Sequence, residues 1–295
     1  MRKSILAAAT ALTVVAAGLV TGVVVTARPA TAALSDVPAD CSVYTTAYRS
    51  DGQRLTYSYS ARKTGTQAIS GDKLGWVPSA VVTFLESGGA DSRAASSLVA
   101  HPTDGNVYLL KRVVTRTDGV WKVTEHKLTR VKSGFAGTRH LEMAWPYVYR
   151  VAGTSLYRYK FAFSDGQPTM SAPVKLSGVG WDTVRTLAYQ RTAGTGSTAV
   201  DVLLGTKANG ELKEWRINYA TPARITPKVL RTSGWASLAS LNTGWCDSHP
   251  NGRPLLGITA AGRASIHFDA NKTDGVGTDI KGGSLGLVGW TAEAY

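Results

Sequence analysis

Short apolar runs alternate with glycine-centred breaks along this chain, and the breaks recur. Residues 200–205 are nearly all apolar, the pattern of a strand packed on both faces. Leu55, Tyr57 and Tyr59 alternate with polar residues, as do Trp215 and Ile217, the pattern of a strand with one covered face. Beyond residue 33 no segment of useful length has helical spacing. The runs group into a unit of four expected strands. The first follows a Gly-aromatic pair, as at 80–85 and 184–189. The second is apolar and ends at a small turn, as at 97–100 and 200–205. The third alternates, and the fourth closes the unit, as at 123–131 and 226–232.

The unit repeats. Gly75-Trp76, Gly134-Phe135, Gly180-Trp181, Gly234-Trp235 and Gly289-Trp290 each open an apolar stretch, at intervals of 46 to 59 residues. Between them lie the turns Asp104-Gly105, Gly153-Thr154, Asn209-Gly210 and Ala261-Gly262, with Asp51-Gly52 ahead of the first pair. Asp-Gly and Asn-Gly predict tight two-residue hairpins, because both central positions then take positive φ. A period of this length with four strands predicts an all-β fold, a five-bladed β-propeller. The alternative is a β-sandwich with coincidentally similar strands. The two ends complement each other: Gly289-Trp290 is followed by a single strand, and the strands at 41–48 and 53–60 lack a Gly-Trp strand before them. The expected closure pairs residues 291–295 beside residues 41–48, which also covers two open strand edges.

The N-terminus stands apart. Arg2 and Lys3 precede an apolar segment at 5–27, then Arg28-Pro29 and an Ala30-Thr31-Ala32 cleavage site, which predicts a secretory signal over residues 1–32 and one mature domain over 33–295. The segment is longer than the usual secretory one, so an uncleaved membrane anchor is the alternative. No later stretch approaches the ~20 apolar residues of a membrane span. The formal net charge is +13, of which Arg2, Lys3 and Arg28 contribute three. The remaining basic residues are scattered, from Arg49 and Lys111 to Arg231 and Arg263, so no nucleic-acid groove is predicted and acidic surroundings such as an envelope polymer fit better. Cys41 and Cys246 fall just before the second strands of neighbouring blades, and export permits a disulfide between them. Two free buried thiols are the alternative.

The repeated residues resemble the five-bladed propeller lectins of the tachylectin-2 type and their secreted bacterial relatives. That family repeats Gly-Gly-Trp, an apolar residue three on, a strand, a turn and then Leu-Tyr. Here Ser177-Gly178-Val179-Gly180-Trp181 has Val184 three on, and Ser233-Gly234-Trp235 has Leu238 three on. Pro102-Thr103-Asp104-Gly105-Asn106-Val107-Tyr108 and Ser155-Leu156-Tyr157 match the turn and the strand after it. The periods here are longer, Phe135 replaces one Trp, and the Asn-Trp element near the family's sugar pockets is missing. The resemblance implies a secreted, extracellular, carbohydrate-binding propeller that is not an enzyme and needs no cofactor. The alternative is a glycan-targeting or adaptor subunit of a secreted multi-protein antibacterial assembly, with a protein partner besides a glycan.

The candidate ligand-binding residues are Trp76, Trp181, Asp182, Trp235, Trp245, Asp247 and Trp290. Each junction indole has two readings. It offers a flat face to a sugar ring, or it is a wedge between blades with its N–H bonded to backbone. The wedge is the favoured reading, with a ligand touching only an indole edge. Asp182, beside Trp181, is the single carboxylate in that register. Trp245, Asp247 and His249 surround Cys246 in one loop, which is either a binding loop held by the disulfide or simply packed beneath it. Trp145-Pro146-Tyr147 is either an exposed platform or a self-filled turn. Gly282-Gly283-Ser284-Leu285-Gly286 matches a nucleophile motif but lacks the helix that motif requires. The five histidines show no metal-ligand spacing. The expected partner is a cell-wall or cell-surface glycan, with no metal, no nucleic acid and no membrane contact after signal cleavage.

Overall fold

The computed structural model describes residues 33–295; the expected signal at 1–32 lies outside the described residues. Five antiparallel sheets form the blades of a β-propeller. Blade one contains β1 (Cys41–Tyr48), β2 (Arg54–Ser60) and β3 (Lys63–Gln67). Blade two contains β4 (Ala80–Gly88), β5 (Ser92–Ala100), β6 (Asn106–Thr117) and β7 (Val120–Ser133). Blade three contains β8 (Thr138–Ala144), β9 (Tyr147–Ala152) and β10 (Ser155–Ser164), with β11 (Gln167–Met170) and β12 (Val174–Lys175) both pairing β10. Blade four contains β13 (Val184–Ala193), β14 (Val200–Lys207), β15 (Leu212–Asn218) and β16 (Ile225–Arg231). Blade five contains β17 (Leu238–Thr243), β19 (Arg253–Thr259), β20 (Arg263–Asp269) and β21 (Lys281–Leu287); the two-residue β18 (Trp245–Cys246) leaves it to join β1.

The turns between second and third strands correct one expectation. Only Gly153-Thr154 is a two-residue hairpin, with Ala152 opposite Ser155. In blade one the Gly52 N–H donates to Arg49 O and the Arg49 N–H to Gln53 O. In blade four the Gly210 N–H donates to Lys207 O and the Lys207 N–H to Glu211 O. These are three-residue loops in which the glycine alone needs positive φ, at 77° and 90°. The Asp or Asn before each glycine has a different task. Asp51, Asp104 and Asn209 each accept the backbone N–H two residues on, at 3.2, 2.7 and 3.2 Å.

The ring closes by sharing one strand position between two segments. At one end of β1 the Tyr48 N–H donates to Ala294 O and the Glu293 N–H to Tyr48 O, at 2.9 and 2.8 Å. At the other end Cys41 and Ser42 pair with Cys246 and Trp245. The C-terminal residues therefore reach only the Tyr48 end, and not the whole of β1 as the sequence suggested; β18 takes the Cys41–Ser42 end, and Tyr44, Thr45 and Thr46 between them line the central cavity. Cys41 and Cys246 form a disulfide, with their Cα atoms 3.9 Å apart.

Hydrophobic packing lies between the blades as five separate cores. Cys41, Val43 and Tyr57 of blade one meet Leu256 and Ile266 of blade five. Leu98 and Leu109 of blade two meet Leu141 and Phe161 of blade three. Tyr149 and Leu156 of blade three meet Leu187 and Leu203 of blade four. Leu204 and Leu212 meet Leu241 and Leu255 at the next junction, and Tyr48 and Leu74 meet Val99 and Leu110 at the fifth. The junctions also bury polar groups. Arg253 of blade five lies 3.1 Å from Glu214 of blade four. Arg112 of blade two lies 2.6 Å from Asp72, in the segment after β3. Tyr149 donates to Asp201 across the junction of blades three and four at 2.7 Å. Such groups are tolerable inside only because they find partners.

Candidate functional site

Each of the five junction cores receives one Gly-aromatic residue. Phe135 is fully buried, Trp181 is 2% exposed and Trp235 is 8% exposed, while Trp76 and Trp290 pack half-buried against their cores. The strand-turn glycine fixes the approach of this segment in two blades: the Phe135 N–H donates to Gly105 O, and the Trp235 N–H to Gly210 O. Trp181 lies 5.0 Å from Trp215, and Trp290 meets Tyr57 edge-on at 6.0 Å. One detail departs from the expected wedge: among the described residues the indole N–H groups of Trp181 and Trp290 find no partner. Asp182 is exposed beside the buried Trp181, and its backbone carbonyl accepts from Arg139 at 3.1 Å.

Trp235 borders a pocket of about 380 Å³ at the junction of blades four and five. Its lining includes Arg231, Arg263, His267 and the serines 233, 237, 265 and 284. The Trp235 ring stacks obliquely on His267, with centroids 4.9 Å apart. Burial pushes the His267 imidazole down to about 4, so it is neutral at ordinary pH. Arg231 is held in place by donating to Ile280 O at 2.6 Å, whereas Arg263 is exposed. An indole edge, two guanidinium forks and several hydroxyls therefore converge on one concave site.

Trp245 has the opposite environment. It is 55% exposed and borders two cavities. Its loop is fixed by the Cys41–Cys246 bridge and by Asp40, whose carboxylate takes the Ser248 N–H and lies 3.3 Å from His249. That N–H holds the Asp40 carboxyl below its usual range. Asp247 is exposed in the same loop. The larger cavity is a groove of about 720 Å³ between blades one and two, lined by Tyr44, Arg54, Glu86, Arg93, Arg112 and Trp245 among others. The smaller, about 260 Å³, is the central cavity where inner strands of all five blades meet. There Glu142 accepts the Tyr189 N–H at 2.8 Å, and burial raises its carboxyl to about 8.

The expected site residues thus fall into separate places: four junctions and one loop. Trp235 and Trp245 border cavities, on opposite ends of the strands. Arg231, Arg263, His267, Arg93 and Arg112 are not among the residues that the sequence offers as a site. They are brought together by strand register and neighbouring blades, for which residue spacing along the chain carries no signal. Among the described residues, no group of three or more His, Cys, Asp and Glu is placed to hold a metal ion. No helix among them is long and apolar enough to cross a membrane.

No family model and no curated protein matches this chain. Among solved structures, it is similar to an AofleA mutant from Arthrobotrys oligospora (12% identity, 84% of this chain and 70% of that one, TM-score 0.44). It is also similar to the BP39L lectin of Burkholderia pseudomallei (13% identity, 85% and 72%, TM-score 0.38). A third, a candidate 6-phosphogluconolactonase from Bacteroides uniformis, gives 13% identity, 83% and 67%, and a TM-score of 0.34. The five sheets and five junction cores of this chain define the propeller by themselves.

Proposed function

We propose that this propeller is a non-catalytic, extracellular carbohydrate-binding protein that recognises a cell-wall or cell-surface glycan. The observation that carries the reading is the Trp235 pocket, where an aromatic edge, Arg231, Arg263 and four serines line one concavity. Its volume, about 380 Å³, lies in the range of roughly 300–1,000 Å³ typical of small-molecule sites. A pyranose presents an apolar C–H face and a polar rim of hydroxyls. The first suits an indole and the second suits guanidinium and serine groups. The disulfide fits an oxidising compartment. Trp181 and Asp182 form a weaker candidate, in which only the exposed carboxylate is offered to a ligand. Several weak junction sites engaged together would raise avidity on a polymeric glycan.

A glycan array of the purified protein tests this directly. Arg263 is exposed, so Arg263→Ala should leave the melting temperature unchanged. It should weaken binding to the best array ligand by about tenfold, or roughly 1.4 kcal/mol. Binding that is silent to Arg263→Ala and to Ser265→Ala would remove the Trp235 pocket as the site.

A further inference from the structure

The groove between blades one and two has a chemistry distinct from that of the Trp235 pocket, and strand register explains it. Glu86 on β4, Ala95 on β5 and Arg112 on β6 lie opposite one another in one cross-strand row. The neighbouring row is Gly88, Arg93 and Val114. Residues two apart on a strand share a face, so Arg93 and Arg112 are diagonal neighbours on the face of blade two that lines the groove. Gly88 and Ala95, which also line the groove, put no long side chain into it. Arg54 enters from blade one.

The charges do not balance. Arg112 and Arg54 share one buried carboxylate, Asp72, at 2.6 and 4.0 Å. Glu86 lies 3.9 Å from Arg54. The Arg93 row has no acid, and among the described residues Arg93 makes no ion pair. Its guanidinium lies 4.7 Å over the Trp121 ring, a contact that positions the charge without neutralising it. Loss of hydration on burial, and after it repulsion from Arg54, lowers the pKa of the Arg112 guanidinium. At the rim stands the exposed indole of Trp245, on a loop that the disulfide and Asp40 hold still.

We propose that this groove binds an acidic saccharide. The sugar ring lies on Trp245, and its carboxylate faces Arg93 in the positive field of Arg112. The proposal shares with the Trp235 reading the premise of a sugar ligand. It uses different residues at the other end of the strands, so the two fail separately. A flat exposed ring beside a fork-shaped cation in a concave site fits a uronate better than an extended acidic peptide, which would have no use for the indole face.

The test is calorimetric titration of the purified protein with a panel of uronate oligosaccharides. The panel comprises tetramers of galacturonate, glucuronate and mannuronate, each paired with its methyl ester. The ester keeps the ring and removes the charge. At least one acid should bind about tenfold tighter than its ester. Arg93→Ala and Trp245→Ala, both changes of exposed side chains, should each remove that preference or the binding itself, while Arg263→Ala leaves it intact. Absence of binding to every acid, equal affinity for acid and ester, or indifference to Arg93→Ala would each overturn the proposal. A tetraglutamate peptide that competes as well as the best uronate would replace the sugar with an acidic peptide and also overturn it.

Discussion

Trp181 and Asp182 are neighbours in sequence with opposite fates. The indole is 2% exposed in the junction core of blades three and four, and the carboxylate is in solvent. Trp181→Ala removes a large buried side chain from between two blades and should cost about 3–5 kcal/mol. Asp182→Ala should leave stability within about 0.5 kcal/mol, as for a surface change. Urea unfolding of both variants separates the roles; equal stabilities would refute the wedge. Glu142 offers a second test at this scale. Burial in the central cavity raises its folded pKa to about 8 from an ordinary 4.5, so the folded molecule keeps a proton that the unfolded chain releases. Its contribution to stability is therefore intact below about pH 4.5, falls as pH rises, and is gone above about pH 8. Glu142→Gln keeps an acceptor for the Tyr189 N–H and removes the titration. Its melting temperature should decline less than the parent's between those pH values, and parallel curves would sink the argument.

At the scale of elements, the strands were largely legible and the turns only half so. The near-continuous apolar run at 200–205 became β14, buried along most of its length, and the alternating third strands became β2 and β15. Those patterns survive because burial on one or two faces is a property of the strand itself. The Asp-Gly and Asn-Gly dipeptides mark where the turns fall but not how long the loops are. The glycine needs positive φ in either hairpin type, so the dipeptide does not distinguish two residues from three. The chemistry of the pocket was harder to read. Trp235 could be named from its repeat, but Arg231, Arg263 and His267 come from β16, the start of β20 and its middle, and only the register of a finished sheet sets them around one pocket. The same holds for the Arg93–Arg112 pair. Its diagonal placement depends on Ala95 standing opposite Arg112, a pairing that neither segment specifies alone.

At the scale of the molecule, the question is what holds a ring of five separate cores shut. Each blade touches only its neighbours, so every junction but one is formed between segments that follow each other in the chain. The junction of blades five and one must join the two ends of the described chain, and three devices converge there. Trp290 packs against Tyr57, Ala294 pairs with Tyr48, and the Cys41–Cys246 bridge links residues 205 apart in sequence. These act by different physics. The bridge restricts the unfolded chain, and for so long a loop it should stabilise by roughly 2–5 kcal/mol. The C-terminal residues act in the folded state, by filling the core and covering the Tyr48 end of β1. The Cys41→Ser, Cys246→Ser double variant should therefore lower the unfolding free energy extrapolated from urea by that margin while still folding into a closed ring, with the far-ultraviolet spectrum unchanged. Deleting residues 289–295 removes the Trp290 wedge and the Tyr48 pairing together. It should be the more damaging change, leaving an exposed strand edge and a protein that aggregates as it refolds. If the deletion variant instead unfolds reversibly at the parent's midpoint, closure lies with the disulfide and β18 alone.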